Sequence, residues 1–289
     1  MGTYNNAYEI LSEVREDLNE FSDAYVQGTD TSGAWSNANL LRKINKALQF
    51  IYALLLERIP EEFLDSEDLT AVDSVLTLPS DFGRLRILKN SAGRKCYPIG
   101  IDQTRLTEAV GNDRLYRRQG RTLVIEKASC TDTYTLWYHR RCRDIHSGAF
   151  GTCVAATSAV LDSTYAKKIA DYYNNMEIED VTDDWTGTIT DYTAARVASI
   201  SAVGADEGSY YGLVPEIPVE FRQLIAPLAV ILTRTHPISQ VTPNSAEYKE
   251  WIDLFREAIK GYAGPPQDID VEELYEDFDM SIDVNAGIL

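Results

Sequence analysis

The sequence contains few of the residues on which metal sites and nucleophilic catalysis depend. Only three histidines and four cysteines occur among its 289 residues, and no two cysteines are spaced as C-x-x-C. A glycine-rich phosphate loop, an H-E-x-x-H motif and a G-x-S-x-G nucleophile elbow are all missing. We therefore expect no enzyme activity, no cofactor and no metal ion, and we interpret the cysteines as thiols that form no disulfide. The histidines are His139, His146 and His236, and the cysteines are Cys96, Cys130, Cys142 and Cys153.

Carboxylates are plentiful, but their spacing is not that of a catalytic or calcium site. Adjacent pairs such as Glu61–Glu62 and Asp183–Asp184 could serve a glycosidase. In a chain with 45 acidic residues, however, such pairs arise by chance. Residues 180–191 are dense in oxygen ligands but lack EF-hand spacing, so we favour a solvated loop over a calcium site.

Long apolar runs are also missing. No run approaches the length of a membrane-spanning helix, and the first residues, Met-Gly-Thr-Tyr-Asn-Asn, show neither the basic nor the apolar region of a signal peptide. We therefore expect that the protein is made and kept in a cytoplasm and that it does not associate with a membrane. The hydrophobic fraction of 44% is nevertheless high enough for a folded core, and the length favours one large domain or two modest ones.

Charge is distributed unevenly along the chain. The formal net charge is −18. Residues 84–143 nevertheless hold fourteen basic and five acidic side chains, whereas residues 264–289 hold eight acids and no base. Such asymmetry predicts that unlike surfaces meet, either between subunits or with a partner. The alternative is an acidic protein with a solvated tail.

Apolar periodicity predicts four helices, over residues 5–21, 37–58, 218–235 and 243–261. Pro227 should kink the third, because a proline inside a helix lacks the N–H that bonds the preceding turn. The second helix has an apolar face too wide for one partner. Part of this face should therefore lie in a subunit interface formed by Leu48, Ile51 and Leu55.

The middle of the chain predicts β structure. Residues 84–143 alternate as expected for a small antiparallel sheet, in a barrel or a sandwich. Residues 147–165 are rich in Ser, Thr, Ala and Gly, which predicts a linker or a long loop. The run Ala170–Ile178, followed by Trp185–Ile200, predicts strand, turn and strand, because its aromatic and β-branched residues are spaced for a β surface.

The predicted fold class is α+β. The N- and C-terminal helices would close into one helical bundle carrying two inserted antiparallel β modules and an extended acidic C-terminal tail. The corresponding domains are a helical bundle of residues 1–74 plus 207–263, a basic β module at 75–146, a second β module with its linker at 147–206, and an acidic docking tail at 264–289.

Several segments carry a resemblance to a known family. The tyrosine pair Tyr172–Tyr173, followed by Trp185–Ile200, is similar to a segment of structural proteins of tailed bacteriophages. Three further segments are LRKINKA at 41–47, LTLPSDF at 76–82, and VPEIPVEF at 214–221 with the following Leu224–Ile225. In this order they resemble the head–tail connector (adaptor) proteins of tailed bacteriophages. The second β module and the acidic tail depart from the smaller members of that family.

The resemblance implies a structural protein without a catalytic centre. Connector subunits assemble as a ring, typically twelvefold, beneath the portal, prolong the channel through which DNA is ejected, and dock the next tail component. For this chain the resemblance implies a homo-oligomer, a portal partner and a downstream tail or nozzle partner. It also implies a place in the virion neck after assembly in the host cytoplasm. DNA would pass through without specific binding.

Two groups of residues are candidates for partner binding. The basic segment could hold nucleic acid, but the net charge opposes this, so we predict that it faces an acidic protein surface. The acidic tail keeps apolar side chains that a solvated tail would not need, which predicts a docking peptide. The basic patch comprises Arg117, Arg118, Arg121, Arg140, Arg141 and Arg143, and the tail anchors are Leu274, Tyr275 and Phe278.

Two other classes of function stay open on the sequence. The tyrosine- and tryptophan-rich β segments would also suit a carbohydrate- or receptor-binding virion module. A virion-associated peptidoglycan hydrolase is the third hypothesis, although no catalytic motif supports it.

Overall fold

A computed structural model describes residues 5–20, 22–28, 33–99, 114–155, 157–201, 204–234 and 246–263. The chain divides into two compact units. Unit 1 comprises Met1–Ala53 and Arg143–Leu289, and unit 2 comprises Leu54–Cys142. Each unit contains its own sheets.

The described residues form six α-helices and fourteen strands. The helices are α1 (Ala7–Asp17), α2 (Asp23–Val26), α3 (Asn37–Arg58), α4 (Val219–Arg222), α5 (Ile225–Arg234) and α6 (Ala246–Ala263). A 3-10 turn covers Pro60–Phe63. The strands are β1 (Leu64–Thr70), β2 (Val75–Thr77), β3 (Phe82–Lys89), β4 (Tyr97–Pro98), β5 (Leu115–Gln119), β6 (Thr122–Ile125), β7 (Thr133–Arg140), β8 (Ser147–Ala149), β9 (Cys153–Ala155), β10 (Ser158–Val160), β11 (Glu177–Asp180), β12 (Trp185–Tyr192), β13 (Val197–Ile200) and β14 (Tyr210–Leu213).

The predicted fold class, a helical bundle with two inserted β modules, is wrong. The described part of the chain is mostly β, with fourteen strands in three sheets. Only four of the helices in this part have ten residues or more. Many of the strands have two to four residues, which is too few to show a period-2 alternation in the sequence. Helical periodicity extends over longer segments, so it is the clearer signal in the sequence and leads to the prediction of a helical bundle.

Unit 1 contains a seven-stranded antiparallel sheet in the order β8-β14-β11-β12-β13-β10-β9. Three of these strands lie within residues 147–165, so the prediction of a linker there is wrong. Ser, Ala and Gly are weak strand formers on their own, and here the neighbouring strands supply the hydrogen-bonding partners. Buried aromatic rings on and beside the sheet pack together: Phe150, Tyr173, Tyr192 and Tyr211.

The run Ala170–Ile178 is only partly a strand. Its first residues form turns in which Asp171 and Asn175 have positive φ angles of 61° and 66°, a conformation that Asp and Asn tolerate better than most residues. Strand β11 begins only at Glu177. Trp185–Ile200 is β structure as predicted, but it forms two strands, β12 and β13, joined by a turn.

Helix α1 begins at a side-chain cap that also bonds to the sheet. Oδ1 of Asn6 accepts hydrogen bonds from the backbone N–H groups of Tyr8 and Glu9, at 2.9 and 3.1 Å. These are donors that the start of a helix leaves without an intrahelical partner. Nδ2 of Asn6 donates to Glu179 on β11 at 2.6 Å. One residue therefore caps α1 and fixes it to the seven-stranded sheet.

The prediction of the longest helix is confirmed, and the prediction of a single helix at 218–235 is wrong. Helix α3 covers Asn37–Arg58, as predicted. The predicted helix at 218–235 is interrupted between α4 and α5. Pro227 lies in the first turn of α5, where no intrahelical hydrogen bond is lost, so the predicted kink is wrong. The helices pack on one another and on the sheet: α1 contacts both α5 and β14, and α5 contacts α6.

Unit 2 contains two sheets that share one core. One has the strand order β1-β7-β3 and the other β2-β6-β5-β4. The strands predicted in residues 84–143 are present, but β1 was missed because LDSEDLT is too polar to suggest a strand. Side chains of both sheets form one hydrophobic cluster, which includes Leu69, Leu76, Leu88, Leu123, Ile125, Tyr134 and Leu136.

Candidate interaction surfaces

Arg143, one of the six arginines of the predicted basic patch, is a buried residue of unit 1. Its Nε donates a 2.7 Å hydrogen bond to the Glu216 carboxylate, and its Nη2 donates to the other carboxylate oxygen. Its Nη1 donates to the backbone carbonyls of Tyr172 and Asn174, at 3.1 and 2.6 Å. The side chain is 2% exposed. Arg143 therefore organises the core of unit 1 and presents no charge to a partner.

Three other arginines of the predicted patch lie on the β5–β6 hairpin, and each contacts its own unit. Arg117 forms an ion pair with Glu126. The Arg118 guanidinium lies 5.2 Å from the centre of the Phe82 ring. Arg121 donates from Nη2 to a backbone carbonyl of the β2–β3 connection, at 2.9 Å. These contacts fix the three side chains but leave them partly or fully exposed.

The last two arginines of the patch lie at the end of β7. Arg140 is the final residue of that strand and Arg141 follows it, and both are half-buried. The six arginines therefore do not form one surface. Five belong to unit 2, and the sixth, Arg143, belongs to the core of unit 1.

The residues of the predicted subunit interface are core residues of the chain itself. All three lie on α3 and have no exposed surface. Intramolecular packing therefore accounts for the wide apolar face, without a neighbouring subunit. These residues are Leu48, Ile51 and Leu55. The predicted tail anchors, Leu274, Tyr275 and Phe278, lie outside the described residues.

Within the described ranges, no three His, Cys, Asp or Glu side chains lie close enough together to hold a metal ion. No helix in these ranges is long and apolar enough to cross a bilayer.

A cleft of about 470 Å³ opens in unit 1 beside the polar side of α3. Its walls are held together by hydrogen bonds across a long stretch of sequence. Asn45 donates to the Ile145 carbonyl at 2.9 Å and accepts from the Ile145 N–H at 2.7 Å. Gln49 donates to Asp144 at 2.9 Å, and Lys167 pairs with the same carboxylate at 2.7 Å. We refer to this cavity as the α3 cleft.

The α3 cleft has a cationic rim. Arg42 and Lys46 are exposed at its edge, and Asp144, which lines it, is already paired. Burial lowers the pKa of neighbouring Lys43, and the positive charges of Lys46 and Arg42 lower it further. Positive charge is therefore concentrated on one helix face, where an anionic group would relieve the repulsion.

A neutral histidine lines the same cleft. Burial lowers the pKa of His146 to about 3, and the charge of Lys167 acts in the same direction. Nδ1 of His146 lies 3.4 Å from the Tyr211 hydroxyl. Nε2 is buried and has no hydrogen-bond partner among the described residues. His146 is therefore an uncharged ring at neutral pH. Because Lys167 is paired with Asp144, the net positive charge of the cleft comes from Arg42 and Lys46 on α3.

The three-stranded sheet of unit 2 has edges of opposite charge. Strand β7 is central, so β1 and β3 form the two edges. We define the acidic edge as Asp65, Glu67 and Asp68 on β1, all of which are exposed. We define the basic edge as Arg84, Arg86 and Lys89 on β3, of which the two arginines are exposed and Lys89 is half-buried.

Charge segregation extends beyond the two edge strands. Residues 57–81 contain eight acids and one base, whereas residues 84–141 contain thirteen bases and five acids. Burial raises the pKa of Glu67, and repulsion by the negative charges of Asp81 and Asp65 raises it further. The sequence revealed the basic half of this arrangement. It did not reveal that a strand of acids forms the opposite edge of the same sheet.

No family model matches the sequence, and no curated protein gives a significant match.

Proposed function

We propose that this chain is a structural subunit of a bacteriophage head–tail connector, which forms a ring beneath the portal, extends the DNA channel and docks the tail. The observation that carries the proposal is the placement of charge on separate surfaces. Unit 1 has the cationic α3 cleft, and unit 2 has the acidic and basic edges. A connector needs such distinct surfaces, since it has to recognise its neighbours in the ring as well as a partner above or below.

The resemblance to connector proteins supports this proposal through the positions of its segments. LRKINKA lies in α3 and contributes Arg42, Asn45 and Lys46 to the α3 cleft. LTLPSDF covers most of β2 and the turn into β3, which carries the basic edge. VPEIPVEF leads into α4 and α5. The segments that resemble the family therefore supply cations of the α3 cleft, lead into the basic edge and lead into the C-terminal helices.

The chemistry of the α3 cleft suits an acidic protein segment of the portal or of a tail component. Two exposed cations on successive turns of α3 can contact carboxylates on a strand or a helix of a partner. Duplex DNA is a poorer partner for the chain as a whole, because a net charge of −18 repels it at every surface that is not locally basic, and we assign the locally basic cleft to a protein partner. We propose that DNA passes through the ring without specific binding, and that the ring is located in the virion neck.

The proposal is tested by the assembly state of the purified chain. Mass photometry and negative-stain electron microscopy, with the chain alone and with the portal protein of the same phage, should show rings, with twelve subunits as the family resemblance implies. Immunogold labelling of virions should place the protein at the neck. A chain that stays monomeric in both conditions and is missing from virions would overturn the proposal.

A further inference from the structure

We infer that neighbouring subunits join head to tail through the three-stranded sheet of unit 2, with the acidic edge of one copy facing the basic edge of the next. The partner at each edge is a second copy of this chain. The inference deepens the proposed ring and rests on it, since it names the surfaces through which the ring is built.

The acidic edge is a regular strand with its charges exposed. Strand β1 pairs with β7 along its whole length, from Leu64 opposite His139 to Thr70 opposite Thr133. Four consecutive residues, 65–68, are exposed although they lie within a strand. The strand contains three acids and no base. Such a strand cannot pair with a second copy of itself, because like charges directly opposite one another are destabilising.

The basic edge matches the acidic edge in its number of charges. Arg84, Arg86 and Lys89 supply three cations against the three carboxylates of β1. The register of β3 on β7 shifts between Phe82 and Arg84 and again between Leu85 and Ile87. Irregularities of this kind interrupt the edge of a sheet and disfavour a continuous backbone ladder with another strand. Contact through charged side chains is therefore the mode that this edge permits.

A second feature limits the free part of the basic edge to its first half. The chain turns after β3 and returns beside it, with the N–H of Cys96 donating to the Leu88 carbonyl at 2.7 Å and the N–H of Asn90 donating to the Arg94 carbonyl at 2.9 Å. The two exposed arginines precede this covered part. We therefore assign the contact to Arg84 and Arg86, with Lys89 at its end, where its Nζ lies 6.0 Å from the Trp137 ring centre.

The inferred joint brings together two different surfaces, the acidic edge of one subunit and the basic edge of the next. The interface between subunits is therefore heterologous. A heterologous interface does not stop at a dimer, because each added subunit leaves one acidic and one basic edge unpaired. It closes as a ring when the rotation between subunits permits and otherwise continues as a filament. The charge pattern thus selects repeated addition over pairing of two like edges.

Charge reversal at each edge tests the joint. The acidic-edge variant carries Asp65→Lys and Glu67→Lys, and the basic-edge variant carries Arg84→Glu and Arg86→Glu. Neither variant alone should form rings in mass photometry at low salt, because every joint would place like charges together. An equimolar mixture of the two should recover rings of alternating subunits, because every joint then pairs unlike charges.

Matched controls separate this effect from net charge and from misfolding. Asp191→Lys with Glu207→Lys makes the same change in net charge at exposed acids of unit 1, and it should assemble normally. The neutral variant Asp65→Asn with Glu67→Gln preserves side-chain size and should weaken assembly without altering the circular dichroism spectrum. Recovery of rings in the mixture would also exclude misfolding as the reason why each variant alone forms no rings.

The outcomes separate a failure of the inferred joint from a failure of the proposed ring. If the wild-type chain forms rings and the acidic-edge variant forms them equally well, the inferred joint is wrong and the ring stands. If both variants lose rings and the mixture does not recover them, the joint is also wrong. If the wild-type chain forms no ring, alone or with the portal, the proposed function fails and the inference fails with it.

Discussion

Arg143 and Glu216 form a bidentate ion pair in the core of unit 1, although 73 positions separate them in the sequence. The remaining nitrogen of the arginine bonds the carbonyls of two residues in the turn that contains the tyrosine pair. The Arg143–Glu216 pair thus connects three segments: the one before β8, the turn that contains Tyr172 and Tyr173, and the one before α4. Nothing in the local sequence distinguishes this arginine from its neighbours Arg140 and Arg141.

Removing one partner of this pair should destabilise the chain strongly. Arg143→Ala leaves the Glu216 carboxylate and two carbonyls without their donor, and loss of one partner of a buried pair costs about 3–5 kcal/mol. Urea unfolding followed by circular dichroism measures the change. Lys168→Ala, at an exposed position of the same unit, should change stability by less than about 0.5 kcal/mol. Equal stability of Arg143→Ala and wild type would contradict the structural role.

The α3 core gives a second prediction. Leu48→Ala should cost about 2–5 kcal/mol, because the side chain is fully buried and its removal leaves a cavity. Leu48→Asp should unfold the subunit, and not merely prevent assembly, since a buried unpaired carboxylate is far more costly. Thermal melts of the two variants measure this, with Glu57→Ala on the exposed side of α3 as the control. A folded, monomeric Leu48→Asp protein would instead favour the interface first predicted for this position.

The contrast between α3 and β1 shows which parts of the fold the sequence could predict. A helix of 22 residues shows several turns of apolar spacing, so its bounds could be identified. Strand β1 is polar, and β8 and β10 have three residues each, so their conformation depends on hydrogen bonds to strands that are distant in sequence. Long-range pairing of this kind leaves no local pattern.

The candidate surfaces were predictable only in part. The concentration of basic residues and the LRKINKA segment could be found in the sequence. The α3 cleft could not, because it depends on Asn45 meeting Ile145, which is 100 positions away. Likewise, the predicted basic patch groups arginines that are close in sequence, whereas the fold places Arg143 in a core and puts β1 and β3 on opposite sides of β7.

Charge reversal in the α3 cleft should weaken partner binding without affecting the fold. Arg42→Glu with Lys46→Glu removes the two exposed cations, so an acidic partner segment would lose its attraction and meet repulsion. Biolayer interferometry against the portal and tail components, at several salt concentrations, measures the loss. Lys168→Glu with Lys249→Glu, at exposed positions outside the cleft lining, is the control of equal charge. Unchanged affinity in the cleft variant would show that the partner binds elsewhere.

The buried histidine predicts a specific dependence of stability on pH. Burial holds the pKa of His146 at about 3, below its ordinary value of 6.5. The unfolded chain therefore takes up this proton more readily than the folded chain. The corresponding stability is fully present above pH ~6.5 and is lost as the pH falls toward the folded pKa, at up to about 1.4 kcal/mol per pH unit.

His146→Phe should remove this dependence while keeping a ring between Tyr173 and Tyr211. Urea unfolding of both proteins at pH 7.5, 6 and 5 gives the difference in stability. Raised carboxyl pKa values, such as that of Asp180, act in the opposite direction, but they are common to both proteins and cancel in the difference. The wild type should lose stability relative to the variant as the pH falls, because only its histidine is charged on unfolding. Parallel stability curves would show that the folded and unfolded chains bind this proton equally, and that burial does not lower the pKa of His146.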